Sequence, residues 1–591
     1  MLKKEQRKNQ WLNIISLVFK VSPFGAIFTI LYYLFNGLFP TSFLFLTTEL
    51  FSEIEKITLI GNGSYVNVWL FCFSLIFLFL LKTIFSIVSS VAINVCVFEK
   101  TATFCKTKFS TCVYGMPYRN FENYEILNNM EGAKKCIDYY AIPSAFISLV
   151  NFFSIIVGVF TMTIVLWKYS YWLVILCFFV VLFQFVVQTI IKKKNYVFNK
   201  YNLSVERKNN YILSLFSNFK FVREIRVYDN FDFFINKWEN NNLKYISELN
   251  KKNRLDNILK FIVGLYRNFS LICCMLIVFF ISVSNIISVS VIGTTFFAFY
   301  SLQNMLESFV ENVVGYYEKL LMINDFFVFC NLKVSNELCE NIGEEINKIE
   351  FRDVSFRYDG SNMLVLNNVS CIINKNEKIA LVGQNGEGKT TFIKLLLKAY
   401  SPTSGNIAIN SKNIETIEDY KIYERISYLS QEYGKYNFTM KENILLSDTL
   451  NVGFLDFDFC IKFLEIEELF LKCNEDEIIG KPLGNLDLSE GEWQKIAIAR
   501  CIIRNSDVII MDEPTSNLDP ISEINYFNKL ISFCADKTLI VITHRMGICP
   551  YMDKVFFFND GKIEGQSKHD ILLNENKKYR RMYNEQAKWY N

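Results

Sequence analysis

Hydrophobic positions follow two regimes along the 591-residue chain, and the change comes near residue 330. Before it lie six apolar runs, near 22–48, 66–97, 141–166, 170–190, 259–283 and 287–310. Each is long enough to cross about 30 Å of hydrocarbon, which takes roughly 20 helical residues. The connections are uneven. "KYSY" and "SVSNII" are very short, whereas 98–140 and 191–258 are long and polar. These long segments still keep apolar residues at helical spacing, as in "YILSLFSNFKFVREIRVYDNF". They predict helices that continue well past the bilayer, with turning points near "MPYRNFENYE" and "FVREIRVYDN" placed to dock onto a soluble part. From about 345 the pattern becomes that of an α/β domain.

Loop charge orients the spans. Lys3, Lys4, Arg7 and Lys8 precede the first run, and Lys192, Lys193 and Lys194 follow the fourth. The connection after the first run is acidic, with Glu49, Glu53 and Glu55 against Lys56. Positive charge stays on the cytoplasmic side, so both termini are expected in the cytoplasm, as an even number of spans also requires. No signal-peptide cleavage pattern precedes the first run, and the opening "MLKKEQRKNQ" is expected to be retained.

Composition agrees with a membrane part joined to a soluble one: 51% hydrophobic, 16% aromatic, mean hydropathy +0.20. The net charge of +3 implies no polyelectrolyte partner, so no nucleic acid is expected. The 57 Phe accompany abundant Asn, Lys and Ile, which share A/T-rich codons. The 16 Cys are scattered through apolar runs without metal-ligand spacing and read as small hydrophobes. With only His544 and His569 in the chain, zinc chemistry is not expected. Within or beside the spans lie Lys82, Arg267, Asn268, Gln303, Glu307 and Glu311. Most sit toward the cytoplasmic ends, where snorkelling explains them. Gln303, Glu307 and Glu311 recur every four residues and so share a helix face, which makes them candidates for a substrate cavity.

The soluble half carries the chemistry. "KIALVGQNGEGKTTFIKLLLKAY" reads as strand, glycine loop and helix, and Gly383, Gly388, Lys389 and Thr390 fit G-x-x-x-x-G-K-[ST]. The loop Gly383, Gln384, Asn385, Gly386, Glu387, Gly388 wraps phosphates with backbone N–H groups. Lys389 reaches the β/γ-phosphates, Thr390 offers a hydroxyl to Mg²⁺, and Thr391 follows at the helix start. "SDVIIMDEP" predicts a buried parallel strand with Asp512 and Glu513 at its carboxyl end. Asp512 is placed to hold Mg²⁺ through water, and Glu513 to polarise the attacking water. "VITHR" is a further apolar strand ending in His544, whose neutral imidazole is placed to bond the γ-phosphate and orient that water.

The order of these motifs resembles the ATP-binding cassette transporters over about 345–585. The resemblance also covers Tyr358 of "VSFRY", Gln431 of "YLSQE", the signature "LSEGE", Asp519 of "SNLD" and His544. It implies that Tyr358 stacks on adenine and that Gln431 touches Mg²⁺ and the membrane domain. It implies further that Ser489 and Gly491 of the signature clamp ATP held by a second chain. The first half resembles the family's exporter-type membrane domain by span number, short outer loops and long inner helices. The expected fold is therefore an all-α six-helix transmembrane domain over 1–330, then an α/β P-loop nucleotide-binding domain over 331–591.

The implied activity is ATP hydrolysis coupled to export by alternating access. Catalysis falls to Glu513, His544 and Lys389, ATP to the loop, and Mg²⁺ to Thr390, Gln431 and Asp512. One P-loop and one signature per chain imply two chains. A homodimer is simplest because neither site element looks dead, and a heterodimer with a paralogue stays open. The expected location is a bacterial cytoplasmic membrane, multi-pass, with the ATPase domain in the cytoplasm.

"IIGKPLGNLDL" lacks the "GERG" stretch frequent in drug and lipid exporters, and with "SEGEWQK" it resembles exporters of lantibiotics and related bacteriocins. About 20 residues precede the first span, so no N-terminal peptidase domain is expected. The alternatives are a drug or lipid exporter, and a regulatory membrane ATPase that moves no cargo.

The signature departs from the family by Glu490 and Glu492. A carboxylate about 5 Å from a phosphate costs roughly 3 kcal/mol at an effective dielectric of about 20. Glu490 is therefore expected to point sideways, and acids in the first turn to favour the helix dipole by about 0.3–1 kcal/mol each.

Overall fold

The computed structural model describes residues 10–60, 63–284, 289–331, 343, 345–448, 457–472, 477–481, 483, 484, 486–515 and 520–587. Two compact units emerge. One comprises Met1–Met116 and Asn123–Leu332, and the other Pro117–Glu122 and Lys333–Asn591.

Among the described residues the regular structure of the first unit is all helical, because long apolar stretches leave the backbone no partner but itself in lipid. Its long helices are Pro23–Glu55, Tyr65–Val91, Ala141–Tyr169, Tyr171–Ser217, Phe231–Ser284 and Val289–Cys330. Among the described residues, five helices are long and apolar enough to cross a membrane: Pro23–Thr58, Tyr65–Tyr114, Ala141–Lys168, Tyr171–Ile191 and Phe231–Phe280. The sixth expected span, 287–310, falls on Val289–Cys330, which is not one of the five. Residues 287 and 288 of that run lie outside the described residues. None of the most apolar window of Tyr65–Tyr114 is buried, and Trp69, Phe73, Phe77 and Ile84 are exposed, an outward greasy face that suits lipid.

Tyr171–Ser217 and Phe231–Ser284 run 47 and 54 residues, far beyond a bilayer's need, as the helical spacing of 191–258 predicts. The short helices Tyr118–Glu122 and Phe219–Val227 occupy the two predicted turning points. Lys82 lies 3.9 Å from the centroid of the Phe39 ring, so its charge is met by an aromatic face.

Among its described residues the second unit holds two sheets. An antiparallel one has the order β2-β1-β4-β5, from Lys348–Phe356 (β1), Leu366–Asn374 (β2), Ser404–Ile409 (β4) and Lys412–Asn413 (β5). The other has the order β10-β9-β3-β8-β7-β6, from Lys378–Val382 (β3), Ile426–Leu429 (β6), Val508–Asp512 (β7), Thr538–Ile542 (β8), Lys554–Asn559 (β9) and Lys562–Ser567 (β10). In it β9, β3, β8, β7 and β6 are parallel. All five residues of β7 and all five of β8 are buried, which is why both read as unbroken apolar runs. One side of this sheet packs on the helix Lys389–Leu396 and the small sheet, where Phe351 stacks on Phe392 at 4.1 Å. The other side packs on the helix Glu490–Ile503, with Trp493 fully buried.

Candidate functional site

Strand order explains the site. β3 lies beside β8, and β8 beside β7, all parallel, so the glycine loop, Asp512–Glu513 and Thr543–His544 meet at one sheet edge. Ligands of open α/β sheets bind at such carboxyl ends. A cavity of about 880 Å³ opens there. Tyr358, Asn385, Gly386, Gly388, Lys389, Thr390, Thr391, Gln431, Asp512, Glu513 and His544 line it, so most of the sequence-predicted residues come together.

The loop is shaped by its glycines. Gly383 and Gly388 have φ of 153° and 96°, where a side chain is strained. A Cβ on Gly383 would meet Phe558 O at 2.5 Å, and one on Gly388 would meet Val365 O at 2.8 Å. Lys389 is buried and donates its ammonium to Gly383 O at 2.8 Å and Gln384 O at 2.7 Å. Burial lowers its proton affinity, while Asp512, Glu513 and Glu387 pull it back up. Thus Gln384 and Glu387 act on Lys389 through a carbonyl and a charge.

Opposite the loop, Thr390 Oγ1 donates to Asp512 Oδ2 at 3.4 Å. Burial, with Glu513 next to it, pushes the Asp512 carboxyl up to about 6. Glu513 is held from three sides. His544 Nε2 lies 3.1 Å from Oε1, Gln431 Nε2 donates to Oε2 at 3.3 Å, and the backbone N–H donates to Ile542 O at 2.9 Å. Burial first, and the Lys389 charge second, lower the His544 pKa below its ordinary 6.5. The ring is accordingly neutral at pH 7, and its Nε2–H donates to Glu513.

Sequence reasoning missed two features here. Glu513 has φ +50°, a left-handed conformation costing a non-glycine residue about 1–3 kcal/mol, which tertiary bonds must over-determine. Gln494 is one such bond: it is buried, and its Nε2 donates to Glu513 O at 3.3 Å. Its signal was present, since Gln494 interrupts the apolar face formed by Ala497, Ile498 and Cys501. Thr515, Thr543 and Arg545 also line the cavity.

Tyr358 bonds Thr391 Oγ1 at 3.0 Å and meets Tyr400 edge-on at 5.3 Å. Tyr400 in turn packs on Tyr118 and donates its hydroxyl to Glu122.

Ser489 and Gly491 do not line this cavity. Ser489 caps the helix Glu490–Ile503 in a capping box with Glu492, which also accepts from the Ser489 hydroxyl at 2.9 Å. Glu490 is tied to neighbours in its own chain. Its Oε1 lies 2.5 Å from Lys435 Nζ, and Tyr433 OH donates to its carbonyl at 3.0 Å. The Lys435 ammonium holds the Glu490 carboxyl below the usual range. Asp519 lies outside the described residues.

Oxygen donors of Thr390, Asp512 and Gln431 are the hard ligands that Mg²⁺ prefers. Among the described residues no group of three or more His, Cys, Asp or Glu is placed to hold a metal. Three oxygen donors suit an ion such as Mg²⁺, which keeps substrate phosphates and water in the rest of its shell.

Comparison with known proteins gives a consistent picture. The ABC transporter family model matches residues 366–516. The subtilin transport ATP-binding protein of Bacillus subtilis is 30% identical over 493 residues, covering 78% of this chain and 76% of that protein. The nisin transport ATP-binding protein of Lactococcus lactis is 28% identical over 399 residues, covering 64% and 65%. An ATP-dependent lipid A-core flippase of Haemophilus influenzae is 32% identical over 240 residues, 40% of each chain. In fold, a bacterial Atm1-family ABC exporter with ATP bound superposes with a TM-score of 0.79 at 17% identity, covering 95% of this chain and 97% of that one.

Proposed function

The chain belongs to the ABC transporter family as an exporter half-transporter with ATPase activity coupled to transport, and from that premise we propose that its cargo is a ribosomally made peptide. The observation that carries this reading is the reach of the similarity. Likeness to the subtilin transporter extends over 78% of the chain, well into the helical half, whereas likeness to the lipid A-core flippase covers 40%. Cargo is met in the helical half, so similarity there bears on cargo more than similarity in the ATPase.

In this reading ATP binds the cavity, with Tyr358 against the base and the loop N–H groups on the phosphates. Lys389 exchanges its two carbonyl partners for phosphate oxygens. Thr390, Asp512 and Gln431 would hold Mg²⁺, which would neutralise phosphate charge. Glu513 accepts the proton of the attacking water, and neutral His544 keeps that carboxylate aimed. Gly491 supports a second copy as the partner. It stands in a helix, where glycine is unfavourable, yet a Cβ there would meet nothing within 4 Å. A glycine with no internal reason points to an external one, the phosphate of ATP bound by another chain. A homodimer in a bacterial cytoplasmic membrane, with the ATPase in the cytoplasm, completes the proposal.

The test is ATPase stimulation in nanodiscs. Nisin and subtilin are expected to raise turnover severalfold, and lipid A to leave it unchanged. Stimulation by lipid A alone would transfer the reading to lipid export.

A further inference from the structure

One layer of the apolar helical bundle is polar. Arg267 Nη1 donates to Glu307 Oε2 at 2.8 Å. Gln303 Nε2 donates to Ser270 Oγ at 2.8 Å, and Ser270 Oγ donates to Arg267 O at 2.6 Å. Gln184 stands at the same height. Phe183, its neighbour, packs on Tyr266, the neighbour of Arg267, with centroids 4.8 Å apart. Cys177 Sγ contacts Phe299 O at 3.9 Å, and two turns further along each helix lie Gln184 and Leu306. Gln184 shares the helix face of Cys177 and Val181, which are buried with Cys274, Phe299 and Leu302. It therefore faces inward, onto the helices that carry Arg267 and Glu307.

Three members of this layer keep bonding capacity in reserve, Gln184, Gln303 and, through its Nε, Arg267. Gln184 is 1% exposed, and neither of its amide atoms has a partner among the described residues. Gln303 is also 1% exposed, and its Oε1 has none. Polar side chains that merely pack in a membrane bundle find partners on neighbouring helices, because lipid offers no substitute. An amide left open at that depth marks a functional site. The Arg267 and Glu307 side chains are 37% and 28% exposed, so the layer opens at its charged pair.

We propose that Gln184, Gln303 and the Arg267–Glu307 pair form a binding layer for a backbone segment of an exported peptide. The inference rests on the peptide reading above and adds where and how the cargo is held. The chemistry selects the ligand class. A primary amide offers one donor face and one acceptor, the complement of a peptide group. An acyl chain has no use for either. A simple cation would want an unpaired carboxylate, and Glu307 is neutralised by Arg267.

The experiment is photo-crosslinking of a synthetic pool of random-sequence peptides to the full transporter in nanodiscs. Wild type is expected to capture peptide. Gln184→Leu combined with Gln303→Leu is expected to capture about tenfold less, with ATP binding retained and the melting temperature equal or higher, since buried amides without partners are removed. Gln184→Met, close in shape but with neither donor nor acceptor, is expected to lose capture severalfold and guards against a folding defect. Capture unchanged in these variants would overturn the layer and leave peptide export standing. A lower melting temperature with unchanged capture would give the amides a packing role and likewise overturn it. Failure of wild type itself to capture peptide would overturn the peptide reading, and the ligand class proposed here with it.

Discussion

Two glycine-bearing loops flank the chemistry of this ATPase, and they differ in why glycine is there. In the phosphate loop the reason is internal: Gly388 has φ +96°, and a Cβ would strike Val365 O at 2.8 Å. In the signature, Gly491 sits in ordinary helix with open space around its missing Cβ. The first loop is complete within one chain. Nothing within the chain requires the second glycine, and the proposed second chain is what would. On that proposal the same motif letter reports self-packing in one place and a partner in the other.

The largest test removes the chemistry while leaving both loops intact. Glu513→Gln is expected to bind ATP as before and to lose about 10²–10⁴ in turnover, the range for loss of a positioned proton acceptor. Near-normal hydrolysis in single-turnover assays would break the assignment and strip the phosphate-loop side of its catalytic role.

The comparison itself is sharpened by making the same change in both loops. Gly388→Ala should lower the melting temperature and abolish nucleotide binding, because both backbone and space forbid the methyl group. Gly491→Ala should melt at or slightly above wild type, with helix propensity favouring alanine by up to about 1 kcal/mol. It should bind ATP normally, yet hydrolyse it about tenfold more slowly, a loss of about 1.4 kcal/mol of transition-state stabilisation. Unchanged hydrolysis in Gly491→Ala would mean that nothing approaches that surface, and the dimer proposal would lose its main support.

Acid provides a smaller perturbation confined to the internal side. The His544 pKa is lowered in the folded protein, so the neutral ring prevails above its ordinary 6.5 and is lost as pH falls through the lower folded value. The sign is that of a group whose stability contribution is present above the unfolded pKa and disappears below it. Turnover is expected to be level from pH 8 to about 6.5 and to fall severalfold only once pH drops through the lower folded value. A rate that instead rises on acidification across the same range would require the imidazolium.

What was legible in the sequence follows the same division. Buried parallel strands announce themselves as apolar runs, so β7 with Asp512 and β8 with His544 were placed from residues alone. The phosphate loop was legible because phosphate geometry leaves few residue choices. The left-handed backbone of Glu513 was not, since it depends on Gln494 and Ile542, distant in sequence. The polar layer of the helical half was half legible. Gln303, Glu307 and Arg267 stood out as charge or amide in apolar runs, but Gln184 hid among phenylalanines and valines. The regular spacing of Gln303, Glu307 and Glu311 also overstated their unity. Gln303 is buried and Glu311 exposed, because a helix face turns away from its neighbours along its length.

The finest distinction concerns Glu490, the acid that stands where the family has glycine. Its ion pair with Lys435 is largely solvated, with side chains 67% and 40% exposed, and is worth less than about 1 kcal/mol. Glu490→Gly should therefore shift the melting temperature little and leave ATPase within a few-fold. A gain of tenfold or more would show that the acid, tied to Lys435 and Tyr433, restrains the signature against its partner. Lys435→Ala then separates the two physical roles of this carboxylate. If the tether matters, Lys435→Ala reproduces the gain. If only the helix dipole matters, it does not, because Glu490 still sits in the first turn with its charge intact.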